Sequence, residues 1–200
     1  MRVSYKWLSE YMPGKLPPPQ KLAEILTMHS FEVESVEKIG EDFVLDVKVL
    51  PNRAHDCLSH IGIAKESGAI LKLKVQSSTF VPSSGRGKFK VKESKKEKIG
   101  DFLKVEVKEL RLCSRYTARV ISGVKVGPSP RWLKERLEVL GQRSINNIVD
   151  ATNYAMLALG QPTHVFDLDK IKNTNFKFQN TNTKNCCPQS KRGRENYYFG

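Results

Sequence analysis

The chain has 200 residues, enough for one or two modest domains with a real core. It carries 34 basic and 21 acidic residues, a formal net charge of +13, and its 39% hydrophobic content suits a soluble globular chain. No apolar run approaches the ~20 residues of a membrane span, the opening Met1-Arg2-Val3-Ser4-Tyr5-Lys6 lacks a secretion signal's apolar core, and Cys57, Cys113, Cys186 and Cys187 form no Cys-x-x-Cys pair, which argues against a disulfide framework or a zinc knuckle and for a reducing cytosol.

The first 76 residues read as a small α+β domain. Ser4 caps a short helix with Trp7, Leu8 and Tyr11 on one side. Pro17-Pro18-Pro19 leads into a second helix, where Leu22, Ile25 and Leu26 repeat at helical spacing up to His29-Ser30. Phe31 and Val33 alternate with Glu32 and Glu34 in a strand pattern that slips at Val36. Phe43, Leu45, Val47 and Val49 alternate more cleanly, and Gly40-Glu41-Asp42 makes the turn between the two strands. Pro51-Asn52-Arg53 ends the second strand, with Arg53 expected in a local salt bridge. Asp56 is placed as the cap of a third helix containing Leu58, Ile61, Ile63 and Ile70-Leu71.

Residues 77–100 change texture. They are Ser- and Lys-rich with few apolar side chains, and read as a basic linker with one weak strand at Phe89-Lys90-Val91. Residues 101–171 form a second region. Val105 and Val107, then Tyr116, Ala118 and Val120, alternate as strands. Ser129-Pro130 opens a helix with Ser129 as cap, a stripe of Trp132, Leu133, Leu137 and Leu140, and Gly141 as its end. Ser144 is placed as the cap of the next helix, whose Ile148, Val149, Thr152, Met156 and Leu159 lie near one face, closed by Gly160 and Pro162. His164-Val165-Phe166-Asp167 leaves extended. Residues 172–200, Asn/Thr-rich and poor in aliphatics, read as a disordered basic tail.

The charge follows these divisions. Residues 85–98 and 172–200 each carry a net +5, and the rest of the chain is nearly neutral. Such runs are more often solvated segments than nucleic-acid contacts.

No Gly-rich phosphate loop, His-Glu-x-x-His or Gly-x-Ser-x-Gly occurs, and no metal site is expected. The densest polar cluster is Arg143, Asn146, Asn147, Asp150, Thr152, Asn153 and His164. Asn146, Asp150 and Asn153 share a helical face, and Thr152 sits almost opposite Asp150. A histidine near a helix end can activate water, and an arginine beside it can hold a phosphate or carboxylate. The alternative is structural: Asn and Asp cap backbone groups, and His164 is held by the proline turn.

Several motifs resemble the bacterial phenylalanine–tRNA ligase beta subunit. They are Val3-Ser4-Tyr5-Lys6-Trp7-Leu8, Phe31-Glu32-Val33-Glu34, Pro51-Asn52-Arg53-Ala54-His55-Asp56-Cys57-Leu58-Ser59, Ser114-Arg115-Tyr116-Thr117-Ala118-Arg119, and above all Asn146-Asn147-Ile148-Val149-Asp150 with Thr152-Asn153-Tyr154, Leu159-Gly160-Gln161-Pro162, His164 and Phe166-Asp167. The resemblance covers about residues 1–171 apart from the linker. It implies a cytoplasmic heterotetramer of two alpha and two beta subunits that attaches phenylalanine to tRNA with ATP and magnesium. The alpha subunit carries that chemistry. The beta subunit supplies assembly, tRNA contacts and an editing site that hydrolyses tyrosyl-tRNA.

By the same resemblance, Arg143, Thr152, Asn153, Pro162 and His164 form one wall of the editing pocket. His164 attends the attacking water, Thr152 and Asn153 position substrate, and Arg143 takes the tRNA end. The family's OB-fold insertion is absent, since Phe31–Ile39 passes almost directly to Phe43–Leu50. The chain is therefore expected to be an N-terminal fragment with a complete first domain and an incomplete editing domain. The opposite wall, with its glutamate, is expected beyond residue 200, so the chain alone should be inactive, and ATP and magnesium would bind only in the whole enzyme. Two other readings compete: a non-catalytic basic RNA-binding module, and a free-standing aminoacyl-tRNA deacylase related to the editing domain.

Overall fold

The computed structural model describes residues 1–12, 16–76, 111, 116–168, 170 and 195–199, the last five by their backbone. It has the expected α+β class. Strands β1 (Arg2–Ser4), β2 (Val33–Ile39) and β3 (Asp42–Val47) form an antiparallel sheet in the order β1-β3-β2. Ser4 ends β1 and caps α1 (Tyr5–Tyr11), its Oγ accepting from the Trp7 amide at 3.0 Å. The Ser4 hydroxyl in turn donates to Asp42, which also accepts from the Lys6 amide at 2.9 Å. An acid at the start of β3 thus completes the cap of a helix 38 residues earlier. Trp7, Leu8 and Tyr11 are buried, as the spacing requires.

α2 (Pro19–His29) begins at the proline run, where a missing amide costs nothing. β2 shifts register between Val33 and Ser35, which is the broken alternation of the sequence seen as a bulge. Gly40, at φ +58°, turns the chain into β3.

The helix after Pro51 differs from expectation. Asp56 caps nothing. Pro51–Arg53 forms a 3-10 turn, α3 (Ala54–Cys57) is a single turn, and α4 (His60–Leu71) is capped by Ser59, which accepts from the Gly62 amide at 3.0 Å. Asp56 is held instead by Arg53, which also reaches Glu66 at 2.9 Å, the local ion pairing that the turn predicts. A Cβ at Gly62 would lie 2.2 Å from the Asp56 carbonyl oxygen, so α4 can start against α3 only with glycine there.

α5 (Arg131–Val139) and α6 (Asn147–Leu159) cross the expected domain boundary. Their Leu133, Leu137, Leu140, Tyr154 and Ala158 belong to the same core as Val3, Trp7, Leu22, Leu45 and Ile63. Trp7 stacks on His60 at 4.0 Å and on Tyr154 at 4.6 Å between ring centroids. Arg136 lies over the Trp7 ring and pairs with Glu10. One compact unit accordingly comprises Met1–Lys90 with Pro128–Pro162, and a second comprises Val91–Gly127 with Thr163–Gly200. The α5 stripe reads as a core face; α5 packs on α6, and the cluster they join extends to residues more than a hundred positions earlier, such as Val3 and Trp7.

The second unit holds an antiparallel sheet in the order β4-β6-β5, from β4 (Arg119–Val124), β5 (Val165–Asp167) and β6 (Glu195–Phe199). Phe199 pairs with Arg119 on one side and with Val165 on the other. Of residues 172–200, whose composition predicts a disordered tail, 195–199 are described, as this strand. Tyr197-Tyr198-Phe199 favours a strand, but three residues after a long Asn/Thr-rich stretch make a weak signal. The expected linker at 77–100 and the strands at Phe89 and Val105 lie outside the described residues. Among the described residues no helix is long and apolar enough to cross a membrane.

Candidate functional site

The polar cluster is built around the first turn of α6. Asn146 is the cap, its side-chain oxygen accepting from the Ile148 and Val149 amides at 3.0 and 2.9 Å. Neither serine assigned as a cap serves as one. α5 starts after Pro130 with no side-chain cap, and Ser129 and Ser144 both donate their hydroxyls to Asp150. Asp150 is completely buried and also accepts from the Ile145 amide at 2.9 Å. Burial pushes its pKa up, but the two hydroxyls and the amide outweigh burial and leave the carboxyl below its ordinary value. At the other end Gly160, at φ +78°, stops the helix, its amide donating to the Met156 carbonyl at 2.8 Å.

The expected site residues fall on both units. Arg143, in the loop between α5 and α6, is exposed. Every other described arginine of its unit pairs with a carboxylate: Arg2 with Glu37, Arg53 with Asp56 and Glu66, Arg131 with Glu135, Arg136 with Glu10. Arg143 has no such partner among the described residues. Asn153 is half-buried, its side-chain amide without a hydrogen-bond partner among the described residues, and Pro162 is exposed beyond the helix end. Thr152 is buried, and its hydroxyl donates to the Val149 carbonyl at 2.7 Å. It therefore has only lone pairs left for a ligand. His164 belongs to the second unit and is exposed, its ring tilted against Phe166 at 6.3 Å. The first unit thus holds an open arginine, a free amide and an acceptor oxygen around α6, and the second holds an accessible imidazole.

The apolar face expected on α6 is corrected. Ile148, Asp150, Thr152, Tyr154 and Ala158 are buried, and Leu159 is 48% exposed. Tyr154 and Ala158 face the core, and Asp150 shares their side of the helix through the four-residue spacing. Asp150 stood out in the sequence as one polar residue among seven. Its burial and its serine partners could not be read there, since both serines also fit the capping rule. Cys57 holds no nucleophile: burial, foremost, pushes its thiol up to about 11.

The B3/4 domain family matches residues 112–190. The beta subunit of phenylalanine–tRNA ligase from Rhodopirellula baltica is 42% identical over 173 residues, 86% of this chain and 23% of that protein. The chain belongs to the phenylalanine–tRNA ligase beta-subunit family. The Bdellovibrio bacteriovorus beta subunit is 50% identical over 129 residues, 64% of this chain and 14% of its own length. That from Anaeromyxobacter dehalogenans is 46% identical over 133 residues, covering 66% and 15%. The chain therefore spans less than a quarter of the length of these family members. The B3/4 match takes in Arg143, Thr152, Asn153, Pro162 and His164, so all five candidate residues lie inside a recognised domain of the family.

Proposed function

We propose that the chain works as part of a phenylalanine–tRNA ligase beta subunit, alongside an alpha subunit and tRNA, and that Arg143, Thr152, Asn153, Pro162 and His164 serve the hydrolysis of tyrosyl-tRNA. Attachment of phenylalanine, with ATP and magnesium, falls to the whole enzyme. The observation that carries the reading is the open guanidinium of Arg143, set on a fixed loop at the start of α6 and followed by an amide and an acceptor oxygen on the same helix.

A second hydrolytic site is what this specificity problem demands. One apolar pocket discriminates poorly against an isostere that only adds a hydroxyl, whereas a polar site that bonds the hydroxyl selects for it. In this reading Arg143 holds the phosphate-rich tRNA end. Asn153 and Thr152 position the aminoacyl group, and Pro162 lines its edge. His164 takes a proton from water as the water oxygen attacks the ester carbonyl, and the ribose oxygen leaves protonated. In the resemblance a facing wall with a glutamate completes the pocket, and the chain by itself should turn over little tyrosyl-tRNA.

Deacylation of tyrosyl-tRNA tests this. In a tetramer whose beta subunit carries this sequence, His164→Ala should slow editing by about 10² or more and leave phenylalanine attachment intact. Editing unchanged by that substitution would sink the role of His164. Fast deacylation by the isolated chain, lost in His164→Ala, would show instead that this piece alone makes a working pocket.

A further inference from the structure

Asp150 is buried among uncharged partners: two serine hydroxyls and a backbone amide. A buried carboxylate without a cation is costly unless its oxygens are hydrogen-bonded; three donors do that here, and the carboxylate fixes them in turn. What it fixes is visible in the chain order. Ser129 precedes α5, Ser144 and Ile145 follow it, and Asp150 lies in the first turn of α6. The carboxylate thus gathers both ends of α5 onto α6. On the other side of the loop the Gly141 amide donates to the Glu138 carbonyl, and the Gln142 amide to the Leu137 carbonyl, each at 2.9 Å. Arg143 is the one residue between the two sets of bonds. The chain is held before it by the Gln142 amide and after it by the Ser144 hydroxyl and the Ile145 amide, and its own side chain is exposed.

Neither serine caps a helix, since Asn146 caps α6 and α5 starts after Pro130 with no side-chain cap. We infer that Asp150 is a positioning residue for Arg143: through Ser144 and Ile145 it holds that arginine's backbone in place, so that the guanidinium meets an RNA 3′ end already ordered. The inference rests on the editing-pocket reading, in which Arg143 takes the tRNA end.

The test is a double-mutant cycle on the full chain. The probe is a labelled RNA hairpin with a single-stranded 3′ CCA end, followed by anisotropy at salt high enough to suppress contacts from the basic segments. Arg143→Ala should weaken binding about tenfold. Ser144→Ala should weaken it about threefold when Arg143 is present, and should add nothing in the Arg143→Ala background. Ser144→Thr, which keeps the hydroxyl, should restore affinity. A loss from Ser144→Ala that is equal in both backgrounds, or no loss at all, overturns the positioning role. If Ser144→Ala does not fold, the same cycle with Asp150→Asn, which keeps the shape but removes one acceptor oxygen, decides in the same way. If Arg143→Ala itself changes nothing, the pocket reading has failed first, and the positioning role goes with it.

Discussion

His60 shows how one side chain can tie distant segments and set a pH limit. Its ring is fully buried. Nε2 accepts from the Ser4 amide at 3.1 Å, and Nδ1 donates to the Leu157 carbonyl at 2.9 Å. An amide can only donate and a carbonyl can only accept, so both bonds require one neutral tautomer. Burial, foremost, lowers the pKa to about 4, and Arg136 pushes in the same direction against the Leu157 bond. The unfolded ring titrates near 6.5. Since the folded pKa is the lower one, the stabilisation is complete above about 6.5 and is lost as pH falls toward 4, amounting to roughly 3 kcal/mol. Urea unfolding followed by the fluorescence of Trp7 and Trp132 should show it. The midpoint should drop between pH 7 and pH 4 more steeply in the native chain than in His60→Gln, where this buried ring is gone. Parallel slopes would show that this ring does not titrate in that window.

At the scale of elements, helix ends decide the structure, and they separate what was readable from what was not. Ser4, Pro19, Gly141 and Gly160 act as their residue types predict, because each signal is local: a cap, a proline start and two glycine stops. Asp56, Ser129 and Ser144 do not. Each fits a capping rule, but each finds a charged or buried partner that the rule cannot see, Arg53 for the first and Asp150 for the other two. The candidate site shares this division. Its residues could be picked out by motif, whereas the open state of Arg143 and the occupied hydroxyl of Thr152 depend on three-dimensional partners. The consequence is measurable. Asn146→Ala removes the true cap of α6 and should cost about 1 kcal/mol. Gly62→Ala forces a Cβ to within 2.2 Å of the Asp56 carbonyl and 2.7 Å of the Cys57 Cα. It should exceed the ~1–3 kcal/mol of ordinary overpacking, because backbone and not a flexible side chain must move. Thermal melts of the two variants give the order: a Gly62→Ala protein at least as stable as Asn146→Ala would refute the close approach of α3 and α4.

At the scale of the whole molecule, the segment that carries the candidate site is not an independent domain. α5 and α6 contribute Leu133, Leu137, Leu140, Tyr154 and Ala158 to the core of the first unit. They also supply the Arg136 partner of Glu10 and the Leu157 acceptor of His60. Burying each leucine contributes about 1.5–3 kcal/mol, and a domain's net stability is only about 5–15 kcal/mol. Removing 128–162 should therefore unfold what remains, even though residues 1–76 read as a self-sufficient domain in sequence. A chain of residues 1–76 should show no cooperative urea transition, and Trp7 should be accessible to a quencher such as acrylamide. If that fragment unfolds at the midpoint of the full chain with Trp7 still protected, α5 and α6 merely sit on a finished core. If it is unfolded, then Pro51–Ser59 and Asn146–Gly160, two motif runs of the first unit, are held in place by one shared core. Substitutions at Trp7 or His60 would then reach Arg143 through α6 without touching any ligand.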